Sequence, residues 1–239
     1  MIPLIVIRPQ PGADTTAAAA AALGLAPRVF PLFAIEPVSW EHPEPREVDA
    51  LLFGSANAVR HAGPTLALFR GKPAYAVGET TAAAAREAGL RIAALGSGGL
   101  DKVLAQITAH RHLLRLAGRE RVVLHPPPGI VLTERIVYAS NPLQMPSQLA
   151  GLLRSRAVVM LHSAAAAEHF ASECERLSLD RSAISLATIG PRVTAASGTG
   201  WAEIATAAVP DDAALLAWAR QLCQNRGGTP GSNANSGAG

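Results

Sequence analysis

Three residue types are scarce in this chain of 239 residues. Aromatic residues make up only 4 %, cysteine occurs twice, and lysine occurs only as Lys72 and Lys102. So few aromatic side chains argue against a base-stacking surface, and we expect no nucleic-acid partner. Cys174 and Cys223 are too few for a disulfide framework or a zinc site, and the seven histidines form no HExxH pattern. We therefore expect two reduced thiols on helices and no bound metal.

Long apolar runs and nucleotide-binding glycine motifs are also missing. No run approaches the roughly eighteen apolar residues that a membrane-spanning helix needs, so we expect no membrane association. Residues 1–8 lack the basic and then apolar layout of a signal peptide and predict a first strand, hence a cytoplasmic protein. The glycines form neither a GxGxxG nor a GxxxxGKS/T pattern, and no GxSxG pattern occurs. These absences disfavour dinucleotide, Walker-type and hydrolase sites, and we expect no cofactor.

The residues that are abundant predict a large core and a basic surface. Hydrophobic residues make up 49 % of the chain, and the net charge of +3 comes almost entirely from arginine. Arginine in excess suits a polyanionic partner, because its guanidinium group pairs well with carboxylates and phosphates. A composition biased towards alanine, arginine and glycine would give the same charge, and the sequence leaves both interpretations open.

Short apolar runs alternate with helical segments along the chain. Strands are predicted at 4–7, 28–33, 49–53, 73–77, 91–95, 121–125, 136–141, 157–162, 184–189 and 203–208. Helices are predicted from Asp14 or Thr15 to Gly24, after Asn57, and at 81–88, 100–116, 149–153, 164–177, after Gly190, and 210–223. This alternation predicts an α/β fold with parallel sheets covered by helices. The glycine-, serine- and asparagine-rich residues 226–239 predict a disordered tail.

The two halves of the chain repeat one pattern. Residues 51–58, a strand followed by Gly-Ser-Ala-Asn-Ala, correspond to residues 158–165, a strand followed by His-Ser-Ala-Ala. Residues 75–82 correspond in the same way to residues 187–195, where a strand ends in glycine before a helix. The repeat predicts a duplicated α/β domain.

Each repeated turn follows a predicted parallel strand, which is where open α/β sheets bind their ligands. Small residues let a ligand approach the backbone, and helix N-termini attract anions, so four such turns on two facing domains suit a ligand with several carboxylates. The candidate binding residues are Arg8, Ser55, Asn57, Gly78, Thr81, His162, Ser163, Gly190 and Thr194. Serine, threonine and asparagine also cap helices without any ligand, Arg8 could be a surface residue, and His162 could be structural.

Taken together, these segments resemble the uroporphyrinogen-III synthase family of tetrapyrrole biosynthesis. The resemblance covers nearly all of residues 1–225 and rests on four features. They are Val6-Ile7-Arg8-Pro9, residues 49–59, residues 76–82, and Ser163 together with Ile189-Gly190-Pro191.

The resemblance implies a fold of two flavodoxin-like parallel-sheet domains joined by a two-stranded β-ladder. Domain one would comprise residues 1–35 and 142–225, so that it is discontinuous in sequence, and domain two would comprise residues 39–134. The ladder would pair residues 33–38 with residues 136–141.

The resemblance also implies a function, that of a cyclising lyase. Its substrate would be hydroxymethylbilane, a linear tetrapyrrole with eight carboxylates, which closes to uroporphyrinogen III with inversion of ring D and loss of water. The resemblance implies no metal and no organic cofactor. It implies transient contact with the preceding enzyme of the pathway. His169 lies at or near the place of a tyrosine that is the family's candidate proton donor, and a histidine can donate a proton near neutral pH.

One segment departs from the family pattern. Between His125 and Ile136 the family has a strand, a helix and another strand, whereas this chain has only ten residues beginning with three prolines. A parallel crossover needs about a dozen or more residues including its helix. We therefore expect domain two to lack a helix there or to carry an irregular loop. This departure, with histidine in place of tyrosine, leaves open an alternative: a tetrapyrrole-binding protein of the same fold with weakened catalysis.

Overall fold

The computed structural model describes residues 2–224, so the predicted tail at 226–239 lies outside the described residues. The strands are β1 Leu4–Val6, β2 Pro27–Val29, β3 Phe33–Pro37, β4 Ala50–Phe53, β5 Pro73–Val77, β6 Arg91–Gly96, β7 His112–Gly118, β8 Val131–Pro142, β9 Ala157–Leu161, β10 Ile184–Thr188 and β11 Glu203–Thr206. The α-helices are α1 Gly12–Ala22, α2 Ala56–Arg60, α3 Glu79–Glu87, α4 Leu100–Leu104, α5 Ser147–Leu153, α6 Ala164–Arg176, α7 Pro191–Ala196 and α8 Asp212–Gln224. The described residues form two compact units, one built from residues 2–34 and 142–224 and the other from residues 35–141.

The first unit contains a five-stranded parallel sheet in the order β11-β10-β9-β1-β2. Successive residues of a strand point to opposite faces, so the central strands bury side chains on both. Ile5 and Val159 pack with Phe170 of α6 on one face, whereas Leu4 and Val158 pack against α1 and α8 on the other. Each such aliphatic side chain stabilises the fold by about 1.5–3 kcal/mol, and these two layers fix the positions of the strand ends.

The second unit contains a six-stranded sheet in the order β3-β8-β7-β4-β5-β6. Strands β4, β5, β6, β7 and β8 run parallel. Leu51 and Phe53 pack on one face together with α2 and α3, and Leu52 packs with α4 on the other. Both units therefore confirm the predicted α/β class with parallel sheets.

Two predicted elements in the second unit are wrong. The expected helix over 100–116 ends at Leu104, and the expected strand over 121–125 is irregular. The strand is instead β7, whose residues pair with β4 on one edge and with β8 on the other. Leu100, Val103, Leu104 and Ile107 have helical spacing, and the apolar residues that follow them favour a longer helix when only local sequence is considered. Pairing with two strands distant in sequence determines the conformation of 112–118, and local spacing cannot reveal such pairing.

The link between β7 and β8 has no helix. Residues 119–130 are irregular, although the two strands that they join are parallel neighbours. Leu124 and Ile130 pack onto the sheet face that α4 also covers, while Val122 and Val123 remain exposed. For residues 126–135 the sequence predicts a missing helix or an irregular loop; residues 126–130 are irregular and without a helix, whereas residues 131–135 belong to β8. The irregular segment covers the sheet where a crossover helix would ordinarily lie. We name residues 119–130 the β7–β8 loop.

Both cysteines are buried thiols. Cys174 lies on α6 and Cys223 on α8, and neither forms a disulfide. Burial raises the pKa of Cys174 to about 12 and that of Cys223 to about 11, so both are protonated and unreactive near neutral pH. Among residues 2–224, no helix is both long and apolar enough to cross a membrane.

Candidate functional site

In both repeated Ser-Ala turns the serine hydroxyl caps the helix that follows. Ser55 caps α2 and its Oγ accepts the N–H of Asn57 at 3.2 Å, and Ser163 caps α6 and accepts the N–H of Ala166 at 3.2 Å. Each serine follows a parallel strand at the carboxyl edge of its sheet. The sequence repeat is thus a structural repeat. Both serines therefore cap a helix, and each hydroxyl still has a proton that it can donate to a ligand.

The two repeated glycines differ. Gly78 precedes α3 with φ +79°, a left-handed conformation that favours glycine. Gly190 precedes α7 with φ 172°, which is extended backbone, and an added Cβ would meet no atom within 4 Å. Glycine is therefore required by the backbone at 78 but not at 190, where it leaves open space at the end of β10.

The two repeated threonines also differ. The Thr194 hydroxyl lies 2.5 Å from that of Thr188 and 2.7 Å from that of Thr206, so it takes part in a network that ties α7 to β10 and β11. Thr81 is 5 % exposed, and its hydroxyl makes no hydrogen bond to any residue in the described range 2–224. The Thr81 hydroxyl therefore has no partner among the described residues, whereas the Thr194 hydroxyl is hydrogen-bonded to Thr188 and Thr206.

A charged cluster lies at the end of β1 and β9. Arg8 Nη1 donates to Asp212 Oδ2 at 2.8 Å and to Thr16 Oγ1 at 3.1 Å. The His162 side chain is 7 % exposed, with Nε2 at 3.5 Å from Asp212 Oδ1, and neither ring nitrogen has a hydrogen-bond partner among the described residues. Burial, reinforced by the charge of Arg8 and opposed by Asp212, lowers the pKa of His162 to about 4. His162 is therefore neutral at pH 7.

His169 lies on α6, further along the helix than the capping residue Ser163. Its Nε2 donates to the carbonyl of Leu143 at 2.7 Å, and its ring meets Phe33 edge to face at 5.2 Å. Glu173, one turn further along α6, accepts the N–H of Met145 at 2.6 Å and pairs with Arg176. The hydrogen bond from Arg176 is the main reason why the pKa of Glu173 falls to about 2. Both side chains thus hold the segment that follows β8.

The first unit has an open cavity of about 380 Å³ at the carboxyl ends of β9 and β10. It brings two of the predicted binding residues together, Ser163 and Gly190. The lining residues are Ser163, Ala164, Ile189, Gly190, Pro191, Arg192, Val193 and Pro210.

The second unit has a cavity of about 230 Å³ at the carboxyl ends of β4, β5 and β7. Ser55 and Val77 line it, as do Arg115 of β7, Tyr138 of β8 and several residues of the β7–β8 loop. Asn57, Gly78 and Thr81 follow the same strand ends but are not part of this lining.

Three residues of these clusters and cavities could not be identified from the sequence: Asp212, Thr188 and Arg115. Asp212 is the first residue of α8, and its pairing with Arg8 spans 204 residues. Arg115 was placed in the wrongly predicted helix. A single arginine within Leu113-Leu114-Arg115-Leu116 was the available signal, because a charge inside a buried run needs a partner.

Within residues 2–224, no cluster of three or more histidine, cysteine, aspartate or glutamate side chains could hold a metal ion. The site residues available to a ligand are instead hydroxyls, helix N-termini, arginines and a neutral histidine. Such a set binds anions and donates hydrogen bonds, which suits a polycarboxylate.

Comparisons with known proteins agree with this chemistry. The family model of uroporphyrinogen-III synthase HemD matches residues 14–217. A uroporphyrinogen-III synthetase from Helicobacter pylori superposes with a TM-score of 0.64 at 16 % identity, covering 93 % of this chain and 100 % of that one. A mutant uroporphyrinogen III synthase from Thermus thermophilus gives 0.51 at 18 % identity, covering 95 % and 100 %. Curated protein sequences gave no match. The match over residues 14–217 shows that this chain belongs to the uroporphyrinogen-III synthase family.

Proposed function

We propose that the turns at the carboxyl ends of the strands in each unit bind carboxylates of hydroxymethylbilane, which the chain, a cyclising lyase by family, converts to uroporphyrinogen III. The match of the family model over residues 14–217 carries the function. The alternative of a binding protein with weakened catalysis receives no support from the comparisons.

The reaction asks for positioning more than for reactive side chains. An electron-rich pyrrole expels the terminal hydroxyl, which leaves as water after accepting a proton. Ring D then attacks the resulting methylene through its substituted α-carbon, which gives a spiro intermediate. The older bond from that carbon to the methylene of ring C breaks, this methylene bonds to the free α-carbon of ring D, and the proton on that carbon is lost, so that ring D is inverted and one water is released in total. Holding one conformation supplies the rate and excludes the uncatalysed closure without inversion.

The binding residues that we propose are the nine predicted ones, and their geometry supports different roles for them. Ser55, Ser163 and Thr81 have hydroxyl protons available to a ligand, whereas Thr194 contributes through the packing of α7. Arg8 carries positive charge at a strand end, although Asp212 offsets it. Asn57 lies in the first turn of α2, Gly78 and Gly190 precede helix N-termini, and His162 contributes a neutral imidazole.

For the proton donor we propose His169. Its Nε2 proton is engaged with the Leu143 carbonyl, so the proton would come from Nδ1 of the imidazolium form. Nδ1 makes no hydrogen bond to any residue within the described part of the chain.

We also propose the finer architecture that the resemblance implies, two flavodoxin-like domains joined by a β-ladder. It is supported by the positions of the two chain crossings between the units, which fall after Ala34 in β3 and after Asn141 in β8. Strands β3 and β8 are hydrogen-bonded neighbours. A cytoplasmic location and transient contact with the enzyme that supplies the bilane stay predictions; the second is supported by the spontaneous closure of the free bilane.

The function is tested by supplying the purified protein with enzymatically generated hydroxymethylbilane. The oxidised products are resolved as isomers I and III. We expect isomer III to form in excess over a sample without the protein. Isomer I alone, at every protein concentration, would overturn the proposal.

A further inference from the structure

Strand β7 of the second unit contains a buried arginine. Arg115 is 3 % exposed and lies on the same sheet face as Leu113, where it is covered by the β7–β8 loop. It pairs in register with Glu134 of β8. A cation at such a position is stable only if its hydrogen-bond donors find partners.

Only one side of the Arg115 guanidinium has partners. Its Nη1 donates to Glu134 Oε2 at 2.6 Å and to the Val122 carbonyl at 2.9 Å. Nε is buried without a partner, and Nη2 makes no hydrogen bond to any of residues 2–224. The N–H bonds of Nε and Nη2 point in the same direction along one edge of the guanidinium. This is the edge that takes a carboxylate through two parallel hydrogen bonds.

The surroundings of that edge suit an anion. Arg115 lines the cavity of about 230 Å³, together with Ser55, Tyr138 and Arg121. Arg115 and Arg121 share one carboxylate, that of Glu134, and Glu120 also lines the cavity. The feature that favours a carboxylate is therefore the unpaired N–H edge of Arg115, and not a net positive charge. The cavity is several times larger than the roughly 30 Å³ that one water occupies, so it can admit a short carboxylate side chain.

Strand β8 and the β7–β8 loop hold the guanidinium in place. Glu134 accepts from both Arg115 and Arg121, and the Val122 carbonyl accepts from Arg115, so the loop and β8 clamp the Nη1 side. A donor edge that is fixed before binding loses little entropy when the ligand arrives. The β7–β8 loop, which takes the place of a crossover helix, therefore also holds a cation in a fixed orientation at the strand ends.

We propose that Arg115 is a substrate-binding residue that holds one carboxylate of the tetrapyrrole through Nε and Nη2, while its Nη1 anchors the β7–β8 loop. This proposal rests on the proposed function.

The first test is Arg115→Lys, which keeps the charge but removes the paired donors. Losing a charged hydrogen bond predicts a KM for hydroxymethylbilane raised about tenfold or more, with kcat changed less. The matched control is Arg86→Lys, an exposed arginine on α3, which should leave KM within about twofold of wild type. An unchanged KM in a folded Arg115→Lys protein would overturn the proposal. If that variant does not fold, Arg115→Leu combined with Glu134→Leu removes both charges together, and the same KM criterion applies.

The second test observes the donor edge directly. In the ¹⁵N-arginine spectrum of the wild-type protein, the Nε–Hε signal of Arg115 is the one that Arg115→Lys lacks. We expect it to shift on anaerobic addition of uroporphyrinogen III, whereas a purely structural anchor would not respond. A signal unmoved by saturating uroporphyrinogen III and by acetate would refute the site. If the wild type forms only isomer I, the proposed function fails, and a shift with acetate still supports the carboxylate site.

Discussion

The buried histidine at the end of β9 gives a pH dependence that can be calculated. His162 has a pKa of about 4 in the folded protein against an ordinary value of 6.5. Its folded-state pKa is depressed, so its contribution to stability is complete above pH 6.5 and is lost as the pH falls towards 4. The difference of about 2.5 pKa units corresponds to about 3 kcal/mol of unfolding free energy.

The assay for this prediction is urea unfolding at several pH values between 7 and 4. His162→Phe retains a ring of similar size, and since neither nitrogen has a protein partner it breaks no hydrogen bond. The wild type should lose about 3 kcal/mol more than His162→Phe between pH 7 and 4. Glu173, whose depressed pKa of about 2 acts between pH 4.5 and 2, contributes equally to both proteins.

A matched substitution controls for the loss of any imidazole. His125→Phe, at an exposed position in the β7–β8 loop, should leave the steep pH dependence of the wild type in place. Parallel pH profiles of unfolding free energy for the wild type and His162→Phe would refute the reasoning. They would show that protonating His162 in the folded protein costs no free energy.

Three further predictions follow from the repeated turns. Thr81→Val should lower turnover while leaving the midpoint of thermal unfolding nearly unchanged, because the Thr81 hydroxyl has no partner among residues 2–224; equal losses would show a capping role. Thr194→Val should cost about 1–3 kcal/mol in urea unfolding, because it breaks the network with Thr188 and Thr206, and an unchanged midpoint would contradict this. Gly78→Ala should cost about 1–2 kcal/mol because φ is +79°, whereas Gly190→Ala should cost little; similar losses in both would be evidence against the backbone argument.

The local elements and the repeated turns could be predicted from the sequence. Ser55 and Ser163 each follow a buried apolar run and precede a helix, and capping is a local interaction that short-range patterns specify. Gly78 ends a strand in the same way, and its φ explains the residue type.

The interactions between distant parts of the chain could not be predicted. Strand β7 is a strand because it pairs with β4 and β8, beginning where Ala50 lies beside Leu113 and Val131 beside His112, and nothing within 112–118 specifies those partners. The pairing of Arg8 with Asp212 is equally remote in sequence. The local similarity of the repeated threonines, Thr81 and Thr194, was misleading, because only the second meets hydroxyls from neighbouring strands.

The central claim is that this chain directs ring closure with inversion. The most direct measurement is the fraction of isomer III formed at a constant supply of hydroxymethylbilane as the concentration of the protein is increased. The family assignment predicts that this fraction rises and approaches completion, because enzymatic closure then outcompetes the spontaneous reaction. A fraction that stays at the level of the protein-free sample throughout would contradict it.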